Sequence, residues 1–315
     1  MKVHERVLIA GAEGLLGRYF TGRLLGRCSL TAHSHASLDI TSAKAVEAMC
    51  ALERPDLIIN CGVLGVDACE RDPVRSHAVN VVGPRNLAAG ADVIGADLVH
   101  FSSNYVFAGD RLDEMPYTVA DQPHPINRYG ESKLAGENTV RDVCERSFII
   151  RSSWIFGQGK AGFVNETWRR LLAREPIHAV TDIRANTTSA ADLVLRTLEV
   201  IRQGTYGTYH LVNGGVCSYY DIAMEVGRLV RLSKAERERL VNGSPASAIS
   251  GIASRPSYTP LRCMTSEQLG FAPMRHWSLA LADYFNEGND LKVQEPKTLA
   301  SRSRLDENDG AFKLG

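Results

Sequence analysis

Short apolar runs recur along the first half of this chain, each followed by a stretch with helical spacing, and that alternation restricts the fold more than any other feature. Arg6–Ala10, Ser29–Ala32, Asp56–Asn60, Asp97–Phe101 and Ser147–Ile150 read as strands. Leu15–Leu25, a segment capped by Thr41 and ending at Leu52, Val74–Ala91 and Arg128–Val143 read as helices. Strands apolar on both faces must be covered on both faces. The pattern therefore predicts a parallel sheet between two layers of helices, an α/β doubly wound fold of the Rossmann type. Its ligand crevice lies beyond the carboxyl ends of the strands. After Arg151 the pattern loosens. Residues 1–154 are expected to form the main domain, with 177–203 (strand Ile177–Val180, helix Ser189–Gln203) returning to it. Residues 155–285 then make most of a smaller, interleaved lobe that includes Tyr209–Val212 and the helix Tyr220–Leu232, and 286–315 a polar tail.

Lys plus Arg and Asp plus Glu each number 36, so the formal net charge is zero. A nucleic-acid binder or a protein of anionic membrane surfaces would carry a basic field, and neither partner is expected. No apolar run approaches the ~20 residues of a spanning helix. Met1–Arg6 leads into the first strand without the pattern of a signal peptide. The seven cysteines are irregularly spaced and form no C-x-x-C pair. They suggest reduced thiols in the cytoplasm rather than a disulfide framework, and no metal site is expected.

Three motifs carry chemistry. Gly11-Ala12-Glu13-Gly14-Leu15-Leu16-Gly17 follows the first strand and opens the first helix. Backbone amides at a helix N-terminus cradle a pyrophosphate, and side chains at those glycines would block its approach. The G-x-x-G-x-x-G spacing alone describes only a tight turn; its place directly after an apolar strand favours a dinucleotide. Tyr129-Gly130-Glu131-Ser132-Lys133 sets a phenol and an amine four residues apart on one helix face. A phenol titrates near ~10, and a nearby ammonium brings it toward the range of an acid–base catalyst. Many solvated helices carry that spacing by chance. Phe101-Ser102-Ser103-Asn104-Tyr105-Val106-Phe107 follows the fourth strand, where Ser103 could polarise a substrate carbonyl or simply cap a loop. Their joint occurrence in this order points to hydride transfer from a nicotinamide dinucleotide to a carbonyl, with Tyr129 and Lys133 handling the proton.

Together with Leu38-Asp39-Ile40, Pro55–Asn60, Ala78-Val79-Asn80-Val81, Pro125–Glu137 and Arg151-Ser152-Ser153-Trp154, these motifs resemble the extended short-chain dehydrogenase/reductases. Within them the chain looks most like the dTDP-4-dehydrorhamnose reductases. The resemblance covers most of residues 5–285, and Pro125–Glu137 is its most specific part. It implies that Tyr129 protonates the nascent alcohol, that Lys133 lowers the Tyr129 pKa and holds the nicotinamide ribose, and that Ser103 completes the catalytic set. It implies a pyrophosphate on Gly11, Gly14 and Gly17, with Leu15 and Leu16 lining the turn and Asp39 and Ile40 flanking the adenine. Val63, Leu64, Gly65 and Ser102 would lie along the cofactor. Ser103, Asn104 and Trp154 would face a nucleotide-sugar substrate, and Arg255, with Arg184 a weaker candidate, could pair with its diphosphate. A homodimer is compatible with the family.

The chain departs from that family on the substrate side. S-T-D-Y becomes Ser102-Ser103-Asn104-Tyr105, D-Q-x-G-x-P-T becomes Asp182–Thr188, and R-P-x-N-S-x-L becomes Arg255–Leu261, which leaves the particular sugar open. The second strand runs into Thr31-Ala32-His33-Ser34-His35, with no acid before Asp39 to bind a ribose diol and repel a 2′-phosphate. With His33 in that stretch and Arg18 just after the last glycine, NADP(H) is favoured over NAD(H). Two other readings stay open. One is a non-catalytic NADP-binding subunit resembling the regulatory subunit of methionine adenosyltransferase, suggested by the altered substrate loops. The other is a nucleotide-sugar epimerase or dehydratase; a dehydratase would want an acid where Asn104 stands.

Overall fold

The computed structural model describes residues 3–159, 162–248 and 253–291. Its apolar runs pair in parallel as β1 (Arg6–Ala10), β2 (Ser29–His33), β3 (Leu57–Asn60), β4 (Asp97–Ser103), β5 (Ser147–Ser152) and β6 (Gly207–His210). The order across the sheet is β6-β5-β4-β3-β1-β2. Side chains alternate between two cores. Val7, Ile9, Ile59, Val99 and Ile150 face Phe20 of α1 (Leu15–Leu24) and Leu193 and Val200 of α5 (Ala190–Gln203). Leu8, Ala10, Ile58, Leu98 and Ile149 face Val46 of α2 (Ala43–Glu53), Leu87 of α3 (Gly83–Ile94) and Val140 of α4 (Arg128–Val143). This is the two-sided coverage that uniformly apolar strands require. The chain leaves β1 toward β2 on one side and returns to β3 on the other, so the crevice opens beyond Ala10 and Asn60.

Several expectations change. Ser42, not Thr41, caps α2: its hydroxyl accepts from Ala45 N, while Thr41 is held by the Asp39 carboxylate. The helix expected over Val74–Ala91 is present as one continuous run from Pro73 to Ile94, with a π-helical turn Ala78–Val82 inside it before α3. Tyr209 belongs to the main sheet rather than the lobe, because β6 pairs with β5 and buries Tyr209 against Phe148. Ile177–Val180 does not return to that sheet; it pairs with Val241–Ser244 over the lobe's own core of Leu171, Ile222, Val226 and Leu281. Only α5 of that stretch packs back on α1. The helix Trp277–Leu291 runs into the segment read as a tail, whose remainder, 292–315, lies outside the described residues. Among the described residues no helix is long and apolar enough to cross a membrane.

Candidate active site

The turn after β1 is shaped by the absence of side chains. Gly11 has φ +78°, and a Cβ there would stand 2.8 Å from Gly62 N. A Cβ on Gly17 would stand 2.2 Å from Gly11 O, so α1 can approach the turn only as glycine. Amides of Gly11 and Ala12 donate to His33 O at 2.9 Å, tying the turn to β2. Gly14 caps α1 without a side-chain hydrogen bond, so no side chain occupies the first amides of the helix.

A cavity of about 580 Å³ opens there. Gly14, Leu15, Leu16, Val63 and Gly65 line one side, and Ser102, Ser103, Asn104, Tyr129 and Lys133 stand at its centre. Trp154, Phe163, Thr187 and Tyr219 line the other side. A groove bordered by Arg18, Thr21, Ala32, Ser34 and Ser37 shares Glu13 with it.

Tyr129 and Lys133 lie in the first turns of α4, capped by Asn127, whose Oδ1 accepts from Gly130 N at 2.8 Å. Burial pushes the Tyr129 phenol above its ordinary value, and the hydrogen bond it shares with Ser103 draws it back. Lys133 is not among the groups that lower it. The direct effect of the amine on the phenol expected from their spacing is therefore replaced by a local one, because desolvation outweighs it. Lys133 is 2% exposed, and burial brings it down to about 8 against the pull of Glu137 and Cys69. Glu137, one turn further on, is fully buried and held by Arg151 at 2.8 and 2.7 Å and by Arg141 at 2.6 Å. The Ser103 hydroxyl accepts from Tyr105 N and donates to Asn104 Oδ1, which fixes the end of β4.

On the far side, Trp154 holds φ +38°, a left-handed conformation that a bulky residue adopts only when its surroundings impose it. Its carbonyl accepts from Thr187 Oγ1 at 3.0 Å and Thr188 N at 3.2 Å. Its ring stacks on Tyr219 at 4.1 Å, with Phe163 edge-on to Tyr219 at 4.9 Å. Asn104, 2% exposed, donates to Thr259 Oγ1 at 2.7 Å and so ties the catalytic turn to the Arg255–Leu261 segment.

Other residues picked from the sequence stand outside the cavity lining. Leu64 is clamped through its backbone, its N–H on Asn80 Oδ1 at 2.8 Å and its carbonyl on Asn80 Nδ2 at 3.1 Å. His33 bonds Glu53 at 3.0 Å and Ser37 at 3.3 Å, a prop beneath the groove rather than a wall of it. Asp39 is spent on Thr41, and Ile40 is buried beneath Gly62 and Gly83. Arg255 pairs with Asp67 at 3.2 Å, and Arg184 lies exposed on a short strand paired with Ser218. Sequence reasoning missed Ser34, Ser37, Phe163, Thr187 and Tyr219, which come from loops and lobe helices with no local pattern. It also passed over Asn80, whose signal is a lone amide in an apolar helical run; it sits in the π-helical turn and donates to Ser132 Oγ beside Lys133.

Residues 5–289 match a family model described as the RmlD substrate binding domain. The dTDP-4-dehydrorhamnose reductase of Mycolicibacterium smegmatis is 36% identical over 89% of this chain and 84% of that protein. A probable dTDP-4,6-dihydroxy-2-methyloxan-3-one 4-ketoreductase of Streptomyces antibioticus is 34% identical over 93% of this chain and 98% of that protein. The solved dTDP-4-dehydrorhamnose reductase of Bacillus anthracis in complex with NADP has a TM-score of 0.85 and 32% identity, covering 90% of this chain and 100% of that one. A Rossmann-type sheet, a side-chain-free turn and these likenesses across most of the length agree: the chain belongs to the RmlD substrate binding domain family, within the extended short-chain dehydrogenase/reductases.

Proposed function

We propose that this chain reduces the 4-keto group of a nucleotide-linked deoxysugar with NADPH. The observation that carries the reading is the meeting of Ser103, Tyr129 and Lys133 in one cavity, between a turn without side chains and an aromatic wall. A bound nicotinamide dinucleotide supplies the hydride. The turn fits its pyrophosphate, because a Cβ at Gly11 or Gly17 would close the approach of α1. Tyr129 gives a proton to the substrate oxygen, Ser103 positions that phenol, and Lys133 sets a buried amine one turn further along α4 in the same cavity. The Trp154–Tyr219 stack offers a flat face to a nucleobase. Relatives of similar identity are named for different dTDP-sugars, and the residues facing the sugar here differ from the commoner pattern at Asn104. Supporting NADPH are Arg18, Ser34 and Ser37 around the groove, with no acid within the β2 segment itself and the nearby Glu53 carboxylate taken up by Thr31 and His33. All seven cysteines are free thiols, which favours a reducing, cytoplasmic compartment.

The test is a panel of nucleotide-linked 4-keto-6-deoxyhexoses scored for NADPH oxidation. Turnover of at least one is expected. Dinucleotide binding with no turnover on any would favour the non-catalytic reading instead. For the cofactor, NADPH should bind more tightly than NADH, and Arg18→Ala should remove that difference; tighter NADH binding overturns the preference.

A further inference from the structure

His100 lies on β4, three residues before Ser103, and is fully buried. Asn60 Nδ2 stands 3.1 Å from its Nδ1, while Asn60 Oδ1 accepts from Gly62 N at 3.0 Å. A backbone amide can only donate, so Gly62 settles which end of Asn60 is oxygen. The other end is an NH2, which can only donate to His100 Nδ1. The neutral ring therefore carries its hydrogen on Nε2, and Nε2 lies 3.5 Å from Lys133 Nζ. An N–H facing an ammonium meets a second donor; facing a neutral amine it meets a lone pair. His210, at the end of β6, shows the opposite arrangement. Its Nδ1 lies 3.1 Å from the Tyr117 carbonyl and must donate, leaving the Nε2 lone pair toward Arg151 Nη1 at 3.5 Å. One buried histidine accommodates its cation and the other opposes it.

We propose that His100 is a positioning residue for Lys133: fixed as the Nε2–H tautomer by Asn60, it turns a donor toward the amine and loosens the amine's hold on its proton. The inference rests on the reading of Lys133 as part of the proton-handling set. The other titratable groups that act on Lys133 are Glu137 on α4 and Cys69 on the Val66–Arg71 helix, both of which favour its charge. Burial outweighs both and brings Lys133 down to about 8. Burial, Lys133 and Arg141 together keep His100 neutral, well below its ordinary value.

The experiment uses the full chain: ring-nitrogen NMR of the histidines, side-chain NMR of Lys133, and the pH profile of kcat. Wild type should show His100 as Nε2–H and His210 as Nδ1–H. Asn60→Asp replaces the donor with a carboxylate that accepts from both Gly62 and His100, so His100 should switch to Nδ1–H and offer Lys133 a lone pair. The Lys133 midpoint, and the alkaline limb of kcat with it, should then rise by about one pH unit or more. Asn60→Ala frees the ring without adding charge and should move both in the same direction. An Nδ1–H tautomer for His100 in wild type overturns the proposal with no variant needed. So does a Lys133 midpoint that stays fixed in both variants. A midpoint that moves while the rate profile does not would uphold the tautomer argument and remove Lys133 from the reaction.

Discussion

On the glycine-turn side of the cavity the surface is backbone, held by amide-to-carbonyl bonds from Gly11 and Ala12 to His33 and by the approach of Gly17 to Gly11. Across from it the surface is side chain: Trp154, Phe163, Thr187 and Tyr219, from four separate segments. The first kind of surface is defined by what it lacks, and almost any added atom spoils it. The second can change one residue at a time, since each ring or hydroxyl is held by its own neighbours. On the proposed reading the backbone wall takes the dinucleotide and the side-chain wall the sugar nucleotide, and relatives are named for different dTDP-sugars. If that wall faces the sugar, as proposed, change is tolerated where the substrate varies: Thr187, from the altered stretch 183–187, lies in it, and Asn104 stands beside Ser103 between the two walls.

Tyr129 stands where the two surfaces meet, and its removal should have the largest effect. Tyr129→Phe deletes only the hydroxyl, so kcat should fall by about 10²–10⁴-fold while dinucleotide affinity stays unchanged; retained turnover would break the assignment. Next is the backbone wall. Gly17→Ala puts a methyl 2.2 Å from Gly11 O, and the turn or α1 must shift. It should lower stability by ~1–3 kcal/mol and weaken dinucleotide binding, read by thermal melting and fluorescence titration. Unchanged dinucleotide affinity would mean that this wall is not the cofactor's. Trp154→Ala, across the cavity, should leave dinucleotide affinity alone and raise KM for the sugar nucleotide by about the ~1–3 kcal/mol of a base stack. An equal loss of both affinities would erase the distinction between the walls.

The two surfaces also differ in how far the sequence discloses them. The strand Arg6–Ala10, the glycines and α1 are contiguous, so the backbone wall can be read from one local pattern. The same holds for α4, whose cap Asn127 immediately precedes it. Thr187 and Tyr219 reach the cavity through loop and lobe contacts that no periodicity announces. The pattern alone puts Tyr209–Val212 in the lobe, because parallel pairing of β6 with β5 is a long-range property, invisible in four residues. Charge was the least legible. Tyr129 and Lys133 are close in sequence, yet burial governs both, and it depends on packing by β4, the Val66–Arg71 helix and the π-helical turn. Nor does a sequence show that Asp39 is hydrogen-bonded by Thr41 and that Arg255 pairs with Asp67.

The smallest expected effect sharpens the comparison most. Asn104 accepts from Ser103 through Oδ1 and donates to Thr259 Oγ1 through Nδ2. Asn104→Asp, which restores the commoner residue of the family, keeps the acceptor for Ser103 and turns the other end into a second acceptor. The Thr259 hydroxyl can rotate and donate, so both hydrogen bonds survive with one reversed. Stability should change by less than about 1 kcal/mol, and dinucleotide affinity should not change. Thr259→Val offers no such reversal. It leaves the buried Asn104 amide without a partner and should cost ~1–3 kcal/mol in thermal or denaturant unfolding. The informative readout is the ratio of kcat/KM values across a panel of 4-keto-sugar nucleotides. If Asn104→Asp reorders that panel at constant stability, a single side chain beside Ser103 selects the sugar. If the order is unchanged, Asn104 serves only to tie β4 to the Arg255–Leu261 segment, and selection passes to the Trp154–Tyr219 side.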